Sequence, residues 1–99
     1  MAYFMVTPSE LRSTAATLRE YNSNFKNQVT TLETAEGTLN SSWEGAAKDT
    51  FHASFMKDKA YMDSFAAEIE KYCVTLEAMA SEYEKGESMN VEIASTRKY

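Results

Sequence analysis

Two long stretches of this chain place apolar residues at alternating steps of four and three, and a short polar stretch containing the only tryptophan separates them. In the first stretch the apolar positions are Leu11, Ala15, Leu18, Phe25, Val29, Leu32 and Leu39, with Asn22 and Glu36 filling the two missing places. Leu11, Leu18, Phe25, Leu32 and Leu39 repeat every seven residues, which is the spacing of a coiled-coil-like seam. Three signals mark the start: Thr7 as N-cap, Pro8 at the first helical position, and Glu10 where a capping box places its acid. The pattern predicts one helix over residues 7–39, about 30 residues and so roughly 45 Å long. Gly37 lies close to its end and is expected to weaken or terminate the last turn. Residues 1–6 form a short N-terminal extension.

The second stretch predicts a helix over residues 47–86. Phe51, Phe55, Met62, Phe65, Ile69, Tyr72, Leu76, Met79 and Tyr83 keep the same alternation, interrupted only by Asp58. A neighbouring column, Ala66, Cys73 and Ala80, also repeats every seven residues and is small throughout. The apolar face is therefore wider than a two-helix seam requires, and the small column invites a closely approaching extra helix. Gly86 is expected to end the helix, leaving 87–99 as a flexible or partly ordered tail.

Between the two lies the bend, residues 40–46, Asn-Ser-Ser-Trp-Glu-Gly-Ala. Trp43 can plug the end of a helix pair with a large ring. Gly45 allows either a positive φ or a close approach of the helices where any Cβ would clash. The predicted fold is all-α, an antiparallel two-helix hairpin turning at this Trp-x-Gly. The expected seam consists of Leu11, Leu18, Phe25 and Leu32 against Phe51, Phe55, Met62, Phe65, Ile69 and Leu76.

A lone hairpin cannot cover stripes this wide. Several of the phenylalanines and methionines on the second helix would stay partly in water, at about 1.5–3 kcal/mol for each large side chain left unburied. Two hairpins packed as a four-helix bundle solve this, so the chain is expected to dimerise around a closed twofold axis.

Composition narrows the function classes. At 99 residues the chain is a single domain, and with three glycines and one proline it suits helices better than strands. The net charge of −5 speaks against a nucleic-acid partner, which needs a basic face, and against attraction to anionic lipid. No apolar run approaches the length of a membrane span, so no stable membrane insertion is expected. The run Tyr3-Phe4-Met5-Val6 is too short for a signal peptide and has no basic residues before it.

A chain of about a hundred residues with Trp43-Glu44-Gly45 between two amphipathic helices resembles the WXG family of small substrates of the type VII (ESX) secretion system. Its opening Thr7-Pro8-Ser9-Glu10-Leu11 resembles the start of helix one in the branch from low-GC Gram-positive bacteria. That family carries a Tyr-x-x-x-acidic secretion signal just after helix two. Tyr83-Glu84-Lys85-Gly86-Glu87 fits it, and Tyr83 is the only tyrosine here with an acid four places on. The resemblance covers roughly residues 7–87. It implies a helical hairpin, pairing with itself or with a related family chain, recognition by the type VII secretion ATPase, and export to the outside of the cell without a cleaved signal peptide.

The remaining candidates are weighed on their own residues. The four-residue spacing of Tyr83 and Glu87 puts ring and carboxylate on one helical face, where a motor or receptor could read them; otherwise Tyr83 caps the stripe and Glu87 is a solvated charge. Trp43 and Gly45 form a recognition feature at the bundle end, a packed turn, or both. His52, the only histidine, is read as a partly exposed helical residue, because nothing near it in sequence completes a metal-ligand set. Cys73 is read as a small packed residue; were its column to face a symmetry mate, an interchain disulfide would come within reach. Asp58 and Asn22 interrupt the two seams and can fix register, with Lys26 a candidate partner for Asp58 in a hairpin pivoting near Trp43.

No cofactor is expected. An enzyme would need a nucleophile with a base, a carboxylate pair in a cleft, or a metal, and none of these patterns is present. The functional readings are an exported dimeric substrate, a co-secreted partner or targeting chaperone for a larger toxin-like substrate, and a plain cytosolic helical dimerisation module. A membrane-lytic role has little support from an acidic chain whose stripe is expected to be occupied.

Overall fold

A computed structural model describes residues 6–96, with side chains placed for residues 6–86. Residues 1–5, most of the expected N-terminal extension, lie outside the described part, as do 97–99. The fold is a helical hairpin 85 Å long and about 22 Å across, built from α1 (Pro8–Ser42) and α2 (Ala47–Thr96).

Helix α1 begins where its N-cap dictates. The Thr7 hydroxyl accepts a hydrogen bond from the Glu10 amide at 3.1 Å, the Thr7 carbonyl accepts from the Leu11 amide, and Pro8 opens the helix where no amide is needed. Gly37 does not stop it. Without a positive φ there, the helix passes through to Ser42. The hydroxyls of Ser41 and Ser42 then donate back to the Thr38 carbonyl and occupy an acceptor of the final turn. Along the outer face, Thr30, Thr31, Thr34 and Thr38 donate in the same way to the carbonyl four residues earlier, so a threonine-rich helix satisfies its own hydroxyls.

The expectation that α2 ends at Gly86 also needs correction, since the helix continues to Thr96. Gly86 has no positive φ, so it forms no left-handed cap, and the residues after it include no proline. Residues 87–96 are therefore helical in backbone, in place of the tail expected from 87 onward.

The inner face between the helices differs from the expected seam. The buried residues of α1 are Leu11, Ala15, Asn22, Val29 and Glu36, and those of α2 are Ala66, Cys73 and Ala80. The small column of α2 thus packs against α1 of the same chain, where an additional helix was expected. Ala15, Cys73 and Ala80 are fully buried, and short side chains at these positions let the two backbones approach closely. Cys73 therefore has no exposed sulfur to offer a symmetry mate, and the interchain disulfide has no geometric support.

The larger apolar residues are displaced sideways. Leu18, Phe25, Phe55, Met62, Ile69 and Leu76 are half-buried, while Leu32, Leu39, Phe51, Phe65, Tyr72 and Met79 are exposed. The register places the pivot near Trp43 but slightly beyond it. Ion pairing places Glu33 level with Lys59, and Asn22 bonds to Ala66, because the non-helical residues run from Trp43 to Ala46 and the turn is centred past the tryptophan. Asp58 and Lys26 are both exposed, and among the described residues neither takes part in an ion pair.

Candidate functional site

The two long edges of the hairpin differ in chemistry, and the difference follows from which residues flank the buried columns. On one edge stand charges. Arg19 on α1 donates from Nε and one terminal nitrogen to Glu70 at 3.1 and 3.0 Å, and reaches Glu77, one helical repeat further along α2, at 2.8 Å. Arg12 pairs with Glu84. Near the other end, Lys59 lies 2.9 Å from Asp63 and 3.4 Å from Glu33. Apart from Lys59–Asp63, which lies within α2, these pairs cross between the helices with opposite signs facing, so this edge is satisfied and solvated as it stands.

The ionisation of the charged edge follows from its contacts. Hydrogen bonds from Arg19 hold the Glu77 carboxyl below its ordinary value, and the two glutamates, Glu77 ahead of Glu70, hold the guanidinium protonated all the more firmly. Lys59 is shifted up, chiefly by its hydrogen bond to Asp63. A carboxylate with a lowered value contributes stability that is complete above the ordinary range and disappears as pH falls through the lowered one. Thermal melts on acidification should therefore show wild type losing stability below about pH 4.5 more steeply than Arg19→Met, in which Glu77 lacks its partner. Parallel slopes for the two proteins would show that the fork contributes nothing to acid sensitivity.

The opposite edge is apolar. Leu18, Tyr21, Phe25, Leu32 and Leu39 of α1 lie along the same side as Phe65, Ile69, Tyr72 and Met79 of α2. Phe25 and Phe65 meet edge to face with ring centroids 5.6 Å apart, the geometry favoured by their quadrupoles. Phe65 is nonetheless 57% exposed and Tyr21 66%. Beside this pair is a groove of about 160 Å³ lined by Leu18, Tyr21, Asn22, Phe25, Phe65 and Ile69. A continuous row of large apolar side chains at this exposure is unusual for a chain with a finished surface.

Two polar side chains in the buried columns are held by specific partners. Asn22 donates from Nδ2 to the Ala66 carbonyl at 3.0 Å, while its Oδ1 is buried with no partner. The Glu36 carboxylate, 5% exposed, lies 2.7 Å from Nδ1 of His52. The only histidine is thus a cross-helix partner near the bend. Sequence patterning missed this pair; the signal available was that Glu36 occupies a seam position and His52 continues the Ala66, Cys73, Ala80 column by two repeats toward the bend.

At the bend, Trp43 is half-buried and its ring lies 5.4 Å from that of Phe51, tilted by 55°. Gly45 has φ 136°, and a Cβ built there would meet only Nε1 of Trp43 at an ordinary 3.9 Å. Of the two roles open to this glycine, the structure therefore selects the positive φ, and close approach plays no part. The Gly45 carbonyl accepts from the Lys48 amide at 3.2 Å and starts α2.

Tyr83 lies far from the bend, on α2 beside the start of α1, and is 52% exposed. With Val74, Thr75, Ala78, Met79 and Glu82 it lines a shallow apolar concavity of about 400 Å³ on the outer surface of α2. Glu87 follows one turn later within the helix; its side chain lies outside the described residues. Trp43 and Tyr83 are thus held at opposite ends of the hairpin, not brought together within one chain. Among the described residues no cluster of metal-ligating side chains occurs, and no helix is long and apolar enough to cross a membrane.

A family model described as WXG100, proteins of 100 residues with WXG, matches residues 3–88 of the chain. Comparison with curated protein sequences gives no match. Among solved structures the hairpin is similar to that of the secreted protein EsxB from Bacillus anthracis, at 24% identity and a TM-score of 0.77, covering 88% of this chain and 99% of that one. The wild-type EsxB structure in space group P21 gives 26% identity and a TM-score of 0.73, covering 83% of this chain and 88% of that one.

Proposed function

The chain belongs to the WXG100 family, and on that premise we propose that it is a small, non-catalytic substrate of a type VII secretion system, exported as a folded dimer of helical hairpins. The observation that carries the reading is the family match across both helices and the bend, with Trp43-Glu44-Gly45 at the turn. Similarity to a protein described as secreted supports export, and the exposed apolar edge supports pairing.

On this reading the apolar edges of two copies face each other and form a four-helix bundle, with the charged edges outward. The export signal is Tyr83 with Glu87. Both lie in a helix that needs no unfolding to present them, and Tyr83 stands in the outer concavity of α2, where the secretion ATPase would have an apolar surface to grip. Trp43 and Gly45 shape the other end of the bundle, which an antiparallel second copy would bring beside the Tyr83 end of the first. The protein is made in the cytoplasm and leaves without a cleaved signal peptide.

The test is export in a bacterium that carries the apparatus. Wild type should accumulate in the culture medium, Tyr83→Ala should remain in the cells at undiminished total level, and Trp43→Ala should be retained as well. Export indifferent to both substitutions would sink the signal assignment. A purified wild-type chain that stays monomeric in light scattering at every concentration would redirect the apolar edge to a different, co-exported chain.

A further inference from the structure

Among the described residues, one buried side-chain polar atom has no partner, and it belongs to a residue that borders the apolar edge. Oδ1 of Asn22 accepts nothing, on a residue only 5% exposed that lines the groove formed by Leu18, Tyr21, Phe25, Phe65 and Ile69. A buried amide oxygen left unsatisfied is costly, and an apolar side chain would serve packing better at this position. Its counterpart Nδ2 already fixes the hairpin through the Ala66 carbonyl, so register alone accounts for half of the side chain and leaves the oxygen unexplained.

The position of the groove indicates what would satisfy it. The large apolar residues of α2 that face the edge run from Phe51 to Met79, and the midpoint of that run is Phe65, itself a wall of the groove. An antiparallel second copy that covers the whole run must place its twofold axis near this midpoint. Residues beside such an axis meet their own symmetry mates. The side chain at the groove mouth with a donor to offer is Tyr21, two-thirds exposed and next to Asn22 in sequence.

We propose that Asn22 is the partner-selecting residue of the apolar edge, its Oδ1 accepting a hydrogen bond from the Tyr21 hydroxyl of a second copy of this chain docked antiparallel across the groove. The symmetric dimer makes this bond twice. That oxygen is covered in the single hairpin, so docking has to displace the exposed Tyr21 at the groove mouth as the partner ring enters. A related hairpin with an aliphatic residue in place of Tyr21 would leave the acceptor stranded and pair less well, so the device favours self-association over mixed pairs. The inference rests on the self-pairing proposed above.

Sedimentation equilibrium on the full chain separates the two. Tyr21→Phe keeps the ring and removes only the donor, at an exposed position that does not bear on folding. It should weaken the dimer by about tenfold, two modest hydrogen bonds being lost together. In an Asn22→Leu background the same change should have no further effect, because the acceptor is already gone. An unchanged dissociation constant for Tyr21→Phe overturns the inference while leaving the dimer intact, as it would if water satisfied the oxygen. Equal weakening in both backgrounds overturns it too, since the effect would not pass through Asn22. A wild-type chain that is monomeric throughout removes the self-pairing reading and this inference with it. Should Asn22→Leu fail to fold by circular dichroism, Tyr21→Phe alone decides between the first two outcomes.

Discussion

Phe65→Asp should leave the chain helical and monomeric. The ring is more than half exposed in the single hairpin, so most of what it would bury is buried only against another molecule. Large aromatic residues near the centre of an interface commonly cost 2 kcal/mol or more when truncated, and a twofold dimer loses two of them at once. That sum of about 4 kcal/mol corresponds to roughly a thousandfold in dissociation constant. The carboxylates add to it, because each would be desolvated close to its own symmetry mate. Within the hairpin the loss is smaller, being chiefly the edge-to-face contact with Phe25. Light scattering should report half the wild-type mass with far-ultraviolet dichroism retained for the hairpin. A persistent dimer would place the interface away from this edge.

Cys73→Leu should instead damage the hairpin itself. The cysteine is fully buried in the column that faces α1, between Ala66 and Ala80 on α2 and near the fully buried Ala15 of α1. Overpacking a site of this kind costs about 1–3 kcal/mol, and this position belongs at the upper end because backbones, not flexible side-chain tips, set the separation. For a domain of this size that loss lowers the melting temperature by on the order of 10–20 °C. Cys73→Ala, which only removes the sulfur, should cost less than Cys73→Leu. The reverse order in thermal denaturation would mean that the column has room to spare and that the helices are not held together by small residues.

Much of the architecture is legible in sequence, and the reasons are local. Thr7-Pro8 opens a helix by chemistry contained within one turn, and a positive-φ glycine two residues after Trp43 turns the chain whatever else surrounds it. The four-three alternation announces two amphipathic helices without any knowledge of their partners. Which column of each helix faces inward is another matter. Hydropathy favours Leu18, Phe25 and Phe65, yet the closest approach goes to Ala15, Ala66, Cys73 and Ala80, because small side chains allow backbones nearer and larger ones then fill the flank. Asn22 and Glu36 look like interruptions of an apolar seam and prove to be among its best-buried members, each held by a partner on α2 that hydropathy alone does not pick out. The end of α2 was not legible at Gly86, since a glycine caps a helix only when its backbone turns left-handed, and this one does not. The fork of Arg19 over Glu70 and Glu77 depends on register, which in turn depends on where the bend pivots.

The charged edge sets a limit on growth. A hairpin sticky along both flanks could add neighbours on either side, and each addition would expose a fresh flank for the next, giving ribbons that lengthen with concentration. Here Arg12, Arg19 and Lys59 already have counter-ions across the helix pair, so on the proposed pairing this flank offers hydrated charge in place of a second sticky edge. On the proposed pairing, assembly would end after a single step. A dimer that cannot lengthen into ribbons stays narrow, which on the export reading suits cargo that must pass folded through a pore.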